Sequence, residues 1–102
     1  MQSDLEKIKS VVLGFIPESR IILFGSRARN THDERSDYDI MVVIKTDHDY
    51  KTKLSLRTIL NKKLGHIGIP ADVLMNSEND VKRKQLLPGH IVKTIIAEGI
   101  EL

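Results

Sequence analysis

Ile21-Ile22-Leu23-Phe24-Gly25-Ser26-Arg27-Ala28-Arg29-Asn30 runs through Thr31-His32-Asp33-Glu34-Arg35-Ser36 into Asp37-Tyr38-Asp39-Ile40-Met41-Val42-Val43-Ile44. Two short, β-branched apolar runs bounded by turn formers predict strands over 21–24 and 37–44. Strand side chains alternate faces, so Asp37 and Asp39 share one face and Tyr38 takes the other. Carboxylates held that close repel unless a positive charge sits between them. Oxygen donors of this kind suit Mg²⁺, which bridges carboxylates to phosphates. Gly25 has no Cβ and lets a ligand approach the backbone. Ser26 adds a hydroxyl, and a helix starting near Arg27 aims free N–H groups at an anion. Arg27 and Arg29 can neutralise phosphate oxygens. Metal donors and phosphate donors thus converge, as phosphoryl or nucleotidyl transfer requires.

Gly25-Ser26, a ten-residue gap and then Asp37-x-Asp39 resembles the signature of the DNA polymerase β-like nucleotidyltransferase superfamily. The resemblance is nearest to its smallest branch, the MNT (minimal nucleotidyltransferase) proteins, and it extends to the Glu98-Gly99 ending. Asn30 departs from the glycine often found there, but asparagine tolerates a left-handed backbone. The resemblance implies an α/β fold, with a small mixed three-stranded sheet flanked by helices, and one domain over 1–102. It implies a third aspartate on the neighbouring strand that completes a two-Mg²⁺ site and can act as general base. Asp72, between Pro70-Ala71 and Val73-Leu74, is the candidate at the matching position. Gly25 and Ser26 would then cradle the phosphates of ATP, and Arg27 or Arg29 would offset charge on pyrophosphate. It further implies an antitoxin that transfers AMP to a tyrosine of a HEPN-domain toxin. Two other readings stay open: an antitoxin that neutralises by binding alone, and an enzyme acting on a small molecule or RNA. Homodimer and hetero-oligomer are both left open.

Composition sets the bounds. The 102 residues suffice for one modest core and no second domain. Aromatic residues are only 4%, so aliphatic side chains build that core, and stacking on unpaired bases is disfavoured. Sixteen Lys and Arg against fourteen acidic residues leave a formal charge of +2, too mild to argue for nucleic-acid binding. With no cysteine, disulfides and thiolate metal sites are excluded. A charged N-terminus and no apolar run of membrane-spanning length predict a cytoplasmic protein.

Outside the central stretch, Ser3 and Glu6 predict a capping box, with Leu5, Ile8 and Val12 as the stripe of a first helix ended by Gly14 and Pro17. Asp47 or Asp49 caps a helix to about residue 64, with Leu56, Ile59, Leu60 and Leu64 buried and Lys51, Lys53, Arg57, Lys62 and Lys63 facing water. A third strand is expected over 71–76. A short helix follows from the 77–80 capping signal to about 87, and a last helix covers about 90–98 with Gly99 as its C-cap.

Each candidate has a plainer reading. Asp37 and Asp39 fit a solvated strand edge, and Asp72 taken alone fits a turn. Arg27 and Arg29 fit solvated helix positions, and Arg35 an ordinary loop arginine. No base for a Ser26 nucleophile is evident nearby in sequence. His32, His48, His66 and His90 lack zinc-ligand spacing. Ile91, Val92, Ile95 and Ile96 cover more than one narrow stripe; most of this is expected to be core, and docking of a partner by part of it is the alternative reading.

Overall fold

The computed structural model describes residues 2–102. Helix α1 (Asp4–Phe15) opens at Ser3, whose hydroxyl accepts the Glu6 amide at 3.2 Å. The same hydroxyl donates to the Glu6 carboxylate at 3.3 Å, in place of the bond from the Ser3 amide that would complete the expected capping box. Ile8 and Val12 are fully buried and Leu5 packs beside them, so the predicted stripe is the one that docks.

Strand β1 (Arg20–Phe24) is followed at once by a single helical turn, α2 (Gly25–Ala28), two residues earlier than expected. Strand β2 (Tyr38–Ile44) runs back antiparallel to β1, with Leu23 opposite Ile40 and Phe24 opposite Asp39. A parallel strand next to β2 needs a crossover, and helix α3 (Tyr50–His66) supplies it. Strand β3 (Ala71–Ser77) then lies parallel to β2, with Asp39 opposite Asp72.

Helix α4 (Glu78–Lys84) starts from a capping box between Ser77 and Asp80 and ends three residues short of the expected position. Helix α5 (Ile91–Glu98) ends on Gly99 as predicted. Strand β4 (Ile100–Glu101) then pairs antiparallel with β1. The sheet is therefore mixed, in the order β3-β2-β1-β4.

That fourth strand corrects the expected three. Two residues carry no periodic signal, and it is tertiary contact that makes them a strand. The Leu102 amide donates to the Ile21 carbonyl at 2.9 Å, and the Arg20 guanidinium meets Glu101 at 2.7 Å and Glu78 at 2.9 Å. Gly99 permits the approach: a Cβ there would collide with the Ile22 side chain and the Ile95 carbonyl.

The central strand β2 is apolar on both faces, as a strand covered on both sides must be. One face carries Ile21, Leu23, Ile40, Val42 and Val73 against α1 and α3. The other carries Ile22, Met41 and Val43 against Val81 of α4 and Val92 and Ile95 of α5.

Helix α3 departs from its expected stripe. Leu60 and Leu64 are buried and Leu56 is half-buried, but Ile59 is 41% exposed. Lys53 and Arg57, expected to face water, turn instead to Asp80 of α4 and Asp72 of β3. Asp49 is the N-cap, accepting the Thr52 amide at 2.8 Å, and Asp47 instead accepts the Asn79 side chain.

Asp80 joins α3, β3 and α4. Its carboxylate accepts the Lys53 ammonium and the Ser77 amide, each at 2.9 Å, and Arg83 lies at 3.2 Å. Burial works against its charge, but these donors prevail and hold its pKa at about 2, below the usual 3.8. The depressed value stabilises the fold above about pH 4, and that contribution fades as pH falls towards 2. Its size is about 2 kcal/mol. Asp80→Asn is expected to lower Tm near neutral pH by roughly 10 °C, given several degrees per kcal/mol in domains of this size. The gap to the parent should narrow between pH 4 and pH 2. Thermal melts with a pH-independent gap would refute the assignment.

Candidate active site

The predicted site residues fall at the junction of three strand ends. Because Phe24 pairs with Asp39, the chain leaving β1 bends directly beside the start of β2. Gly25 makes that bend with φ 73°, in the left-handed region where glycine is at ease. A Cβ on Gly25 would overlap the Asp39 carboxylate, so the missing side chain is what lets the carboxylate sit over the bend.

The parallel register sets Asp72 next to Asp39 on the adjoining strand. Alternation puts Asp39 on the face of Met41 and Val43, and Asp72 on the face of Leu74 and Asn76. This is the face that α4 and α5 cover. Asp37 precedes β2 and is exposed.

The electrostatics record the convergence. Burial pushes the Asp39 carboxyl above its usual range, and the nearby charges of Asp72 and Asp37 push it further, against a smaller pull from Arg29. Asp72 has a cationic neighbour: Arg57 Nη2 lies 3.3 Å from its Oδ1, with both side chains partly exposed.

Arg27 and Arg29 separate. The Arg27 guanidinium donates twice to the Ser36 carbonyl, at 3.0 and 2.8 Å, and lies 3.9 Å from the centre of the Tyr38 ring. The Tyr38 hydroxyl in turn donates to Asp4 at 2.9 Å. Arg27 thus ties down the loop that delivers Asp37. Arg29 is exposed and borders a cavity with Gly25. Asn30 takes φ 58°, the left-handed geometry expected of it. The Ser26 carbonyl accepts the Thr31 amide at 2.9 Å, which closes the turn after α2.

Two cavities flank the acidic group. One, of about 230 Å³, lies on the β1 side and is lined by Phe24, Gly25, Arg29, Ile95 and Glu98 among others. The second, of about 210 Å³, lies on the β3 side between α3, β3 and the start of α5. Asp39 and Asp72 line neither, but each abuts a residue that does: Gly25 on one side, Arg57 on the other. Ile91 borders both and stands between them.

Arg57 and Lys53 face the site, against the solvated positions that their place among the helix's lysines suggests. A signal for them existed. Tyr50, Lys53, Leu54 and Arg57 fall at helical spacing on one flank of α3, beside the Leu56-Leu60-Leu64 stripe that fixes the helix on the sheet.

The donor set suits a divalent cation in part. Mg²⁺ is commonly held by one or two carboxylates with waters and substrate phosphates rather than by an all-protein cage. Asp37 and Asp39 offer such carboxylates, and a cation would relieve the repulsion felt by Asp39. Among the described residues, no three His, Cys, Asp or Glu side chains stand together as a ready metal cage. Arg57 meets one oxygen of the Asp72 carboxylate. Among the described residues, no helix is long and apolar enough to cross a membrane.

The family model described as polymerase beta, nucleotidyltransferase matches residues 6–102. A Methanocaldococcus jannaschii protein named as a protein adenylyltransferase is 35% identical over 80 residues, which cover 78% of this chain and 73% of that one. Among solved structures, a chain of a toxin–antitoxin complex with AMP-PNP superposes with TM-score 0.59 at 22% identity, covering 98% of this chain and 72% of that one. A mutant of the MntA–HpeT toxin–antitoxin pair gives 0.61 at 24% identity, covering 99% and 72%. A complex of a tri-AMPylated Shewanella oneidensis HEPN toxin with an MNT antitoxin gives 0.55 at 21% identity, covering 96% and 67%. At these identities the structures speak for the fold, whereas the family match spans nearly all of the sequence. This chain is a member of the polymerase beta nucleotidyltransferase family.

Proposed function

We propose that the protein is an antitoxin that transfers AMP from ATP to a tyrosine hydroxyl of a HEPN-domain partner. The observation that carries this reading is the strand register that sets Asp39 beside Asp72 and over the Gly25 bend. The relative named as a protein adenylyltransferase supports protein as the acceptor. The fold neighbours taken from toxin–antitoxin complexes, one with an AMPylated HEPN toxin, support the partner.

In this reading the acceptor oxygen attacks the α-phosphorus in line. The new P–O bond forms as the bond to the departing pyrophosphate breaks. Asp72 takes the acceptor proton, once Arg57 shares or releases its carboxylate. Backbone N–H groups of the Gly25-Ser26 bend and the Ser26 hydroxyl hold the non-transferred phosphates, and the exposed Arg29 offsets their charge. Arg27, bound to Ser36 and stacked on Tyr38, keeps the loop in place so that Asp37 stays beside Asp39. Asp37 and Asp39 would hold Mg²⁺, which when bound supplies charge neutralisation at the phosphates.

With ATP, Mg²⁺ and a folded HEPN partner, intact-mass spectrometry should show the partner gaining the mass of one or more AMP groups. A partner of unchanged mass would defeat the catalytic reading. If that partner were still neutralised, the binding-only antitoxin would be the surviving alternative.

A further inference from the structure

The cavity on the β3 side has no part in the phosphate site, and its position and lining suit the acceptor. It holds about 210 Å³, below the roughly 300–1,000 Å³ of pockets that take a whole drug-sized ligand. A space of that size suits one inserted side chain. Its walls are apolar at Leu54, Leu74 and Ile91, and three cations stand around it: Lys53, Arg57 and Lys84. Leu54 and Ile91 are 43% and 53% exposed, which is costly for a face with nothing to cover it.

The strand order fixes which side is which. Gly25 and Arg29 lie beyond Asp39 on the β1 side, and Arg57 and Leu74 lie beyond it on the β3 side. A donor phosphate on the β1 side leaves the β3 side for the group that attacks in line from opposite the leaving group. Ile91 separates the two spaces.

Charge narrows the occupant further. Lys53 and Arg57 already have carboxylate partners in Asp80 and Asp72. Lys84 is bonded to the neutral side-chain oxygen of Asn76. Burial and the neighbouring cations Lys53 and Arg83 weaken its hold on the proton more than the charge of Asp80 restores it, and with no direct carboxylate bond among the described residues an anion entering the cavity would find it there.

We infer that the cavity between α3, β3 and α5 is the acceptor subsite, taking the tyrosine side chain of a partner protein against Leu54, Leu74 and Ile91, with an acidic neighbour in that partner meeting Lys84. The inference rests on the adenylyl-transfer reading for its choice of acceptor and is testable apart from it. The probe is a synthetic peptide with one tyrosine flanked by glutamates, titrated into methyl-labelled protein without nucleotide and followed by NMR. The largest shifts are expected at Leu54, Leu74 and Ile91. A twin peptide with glutamines in place of the glutamates should bind about tenfold more weakly, the difference one charge-assisted contact makes. Lys84→Gln should reduce that preference to roughly twofold or less. In transfer assays Leu54→Glu should raise KM for the acceptor about tenfold or more and leave KM for ATP within about twofold, since it adds a charge to an apolar wall.

Absent or displaced peptide shifts would overturn the subsite. So would an acidic preference unchanged in Lys84→Gln. AMP-PNP shifting Leu54 and Leu74 in place of the peptide would reassign the cavity to the nucleotide. Peptide bound in the cavity with no AMP transfer to any acceptor would uphold the subsite and defeat the proposed function instead.

Discussion

Asp39→Asn is expected to reduce AMP transfer by about a thousandfold and to leave Tm unchanged or raised. The loss of activity follows from the role assigned to the carboxylate. Amide oxygen is a poor substitute for a charged ligand, and the charge stabilisation at stake is several kcal/mol, with about 1.4 kcal/mol for each tenfold in rate. The stability effect follows from the surroundings. Burial and the charges of Asp72 and Asp37 raise the pKa of Asp39, so the folded protein disfavours its ionised form. A raised carboxyl pKa means that the charge weighs against folding at pH values above it, and neutral asparagine removes that burden. Activity lost with stability kept is the pattern of a side chain retained for chemistry. Transfer within tenfold of the parent, or a large fall in Tm, would each refute this account.

Gly25→Ala is expected to damage both properties together. A left-handed φ of 73° costs an L-residue about 1–2 kcal/mol, which is several degrees in Tm for a domain of this size. The added Cβ must also displace the Asp39 carboxylate, and a misplacement of about 1 Å at a reacting centre costs on the order of a hundredfold in rate. Gly65→Ala is the matched control. Gly65 lies within α3, and a Cβ there meets nothing within 4 Å. That change should raise stability by roughly 0.5–1 kcal/mol. Calorimetry and a transfer assay on both variants give the comparison. A Gly25→Ala protein with parental Tm and activity would show that the bend has room to spare.

Much of the fold is legible because local rules and tertiary packing agree. Apolar runs bounded by Gly25 and by Asp37 and Asp39 read as strands and are strands. Ser3, Asp49 and Ser77 cap the helices that follow them. Asn30 adopts the left-handed turn that its side chain tolerates. The misreadings share a cause: each residue involved is defined by a distant partner. Strand β4 exists through its pairing with β1, and Ile100 and Glu101 announce nothing by themselves. Lys53 and Arg57 look solvated until α3 is laid on the sheet and Asp80 and Asp72 come within reach. Arg27 and Arg29 look alike in sequence, and only the folded loop sends one to Ser36 and Tyr38.

By itself the sequence determined every element but β4 and the family signature that singles out Asp37, Asp39 and Asp72 as candidates, because strand period, capping and turn chemistry act over a few neighbouring positions. The tertiary structure alone decided that β2 and β3 run parallel with Asp39 beside Asp72, that Arg57 holds Asp72, and that two cavities lie on either side of Ile91. Those are contacts between residues far apart in the chain, and burying a shared core, not any local preference, chooses among the registers they can take.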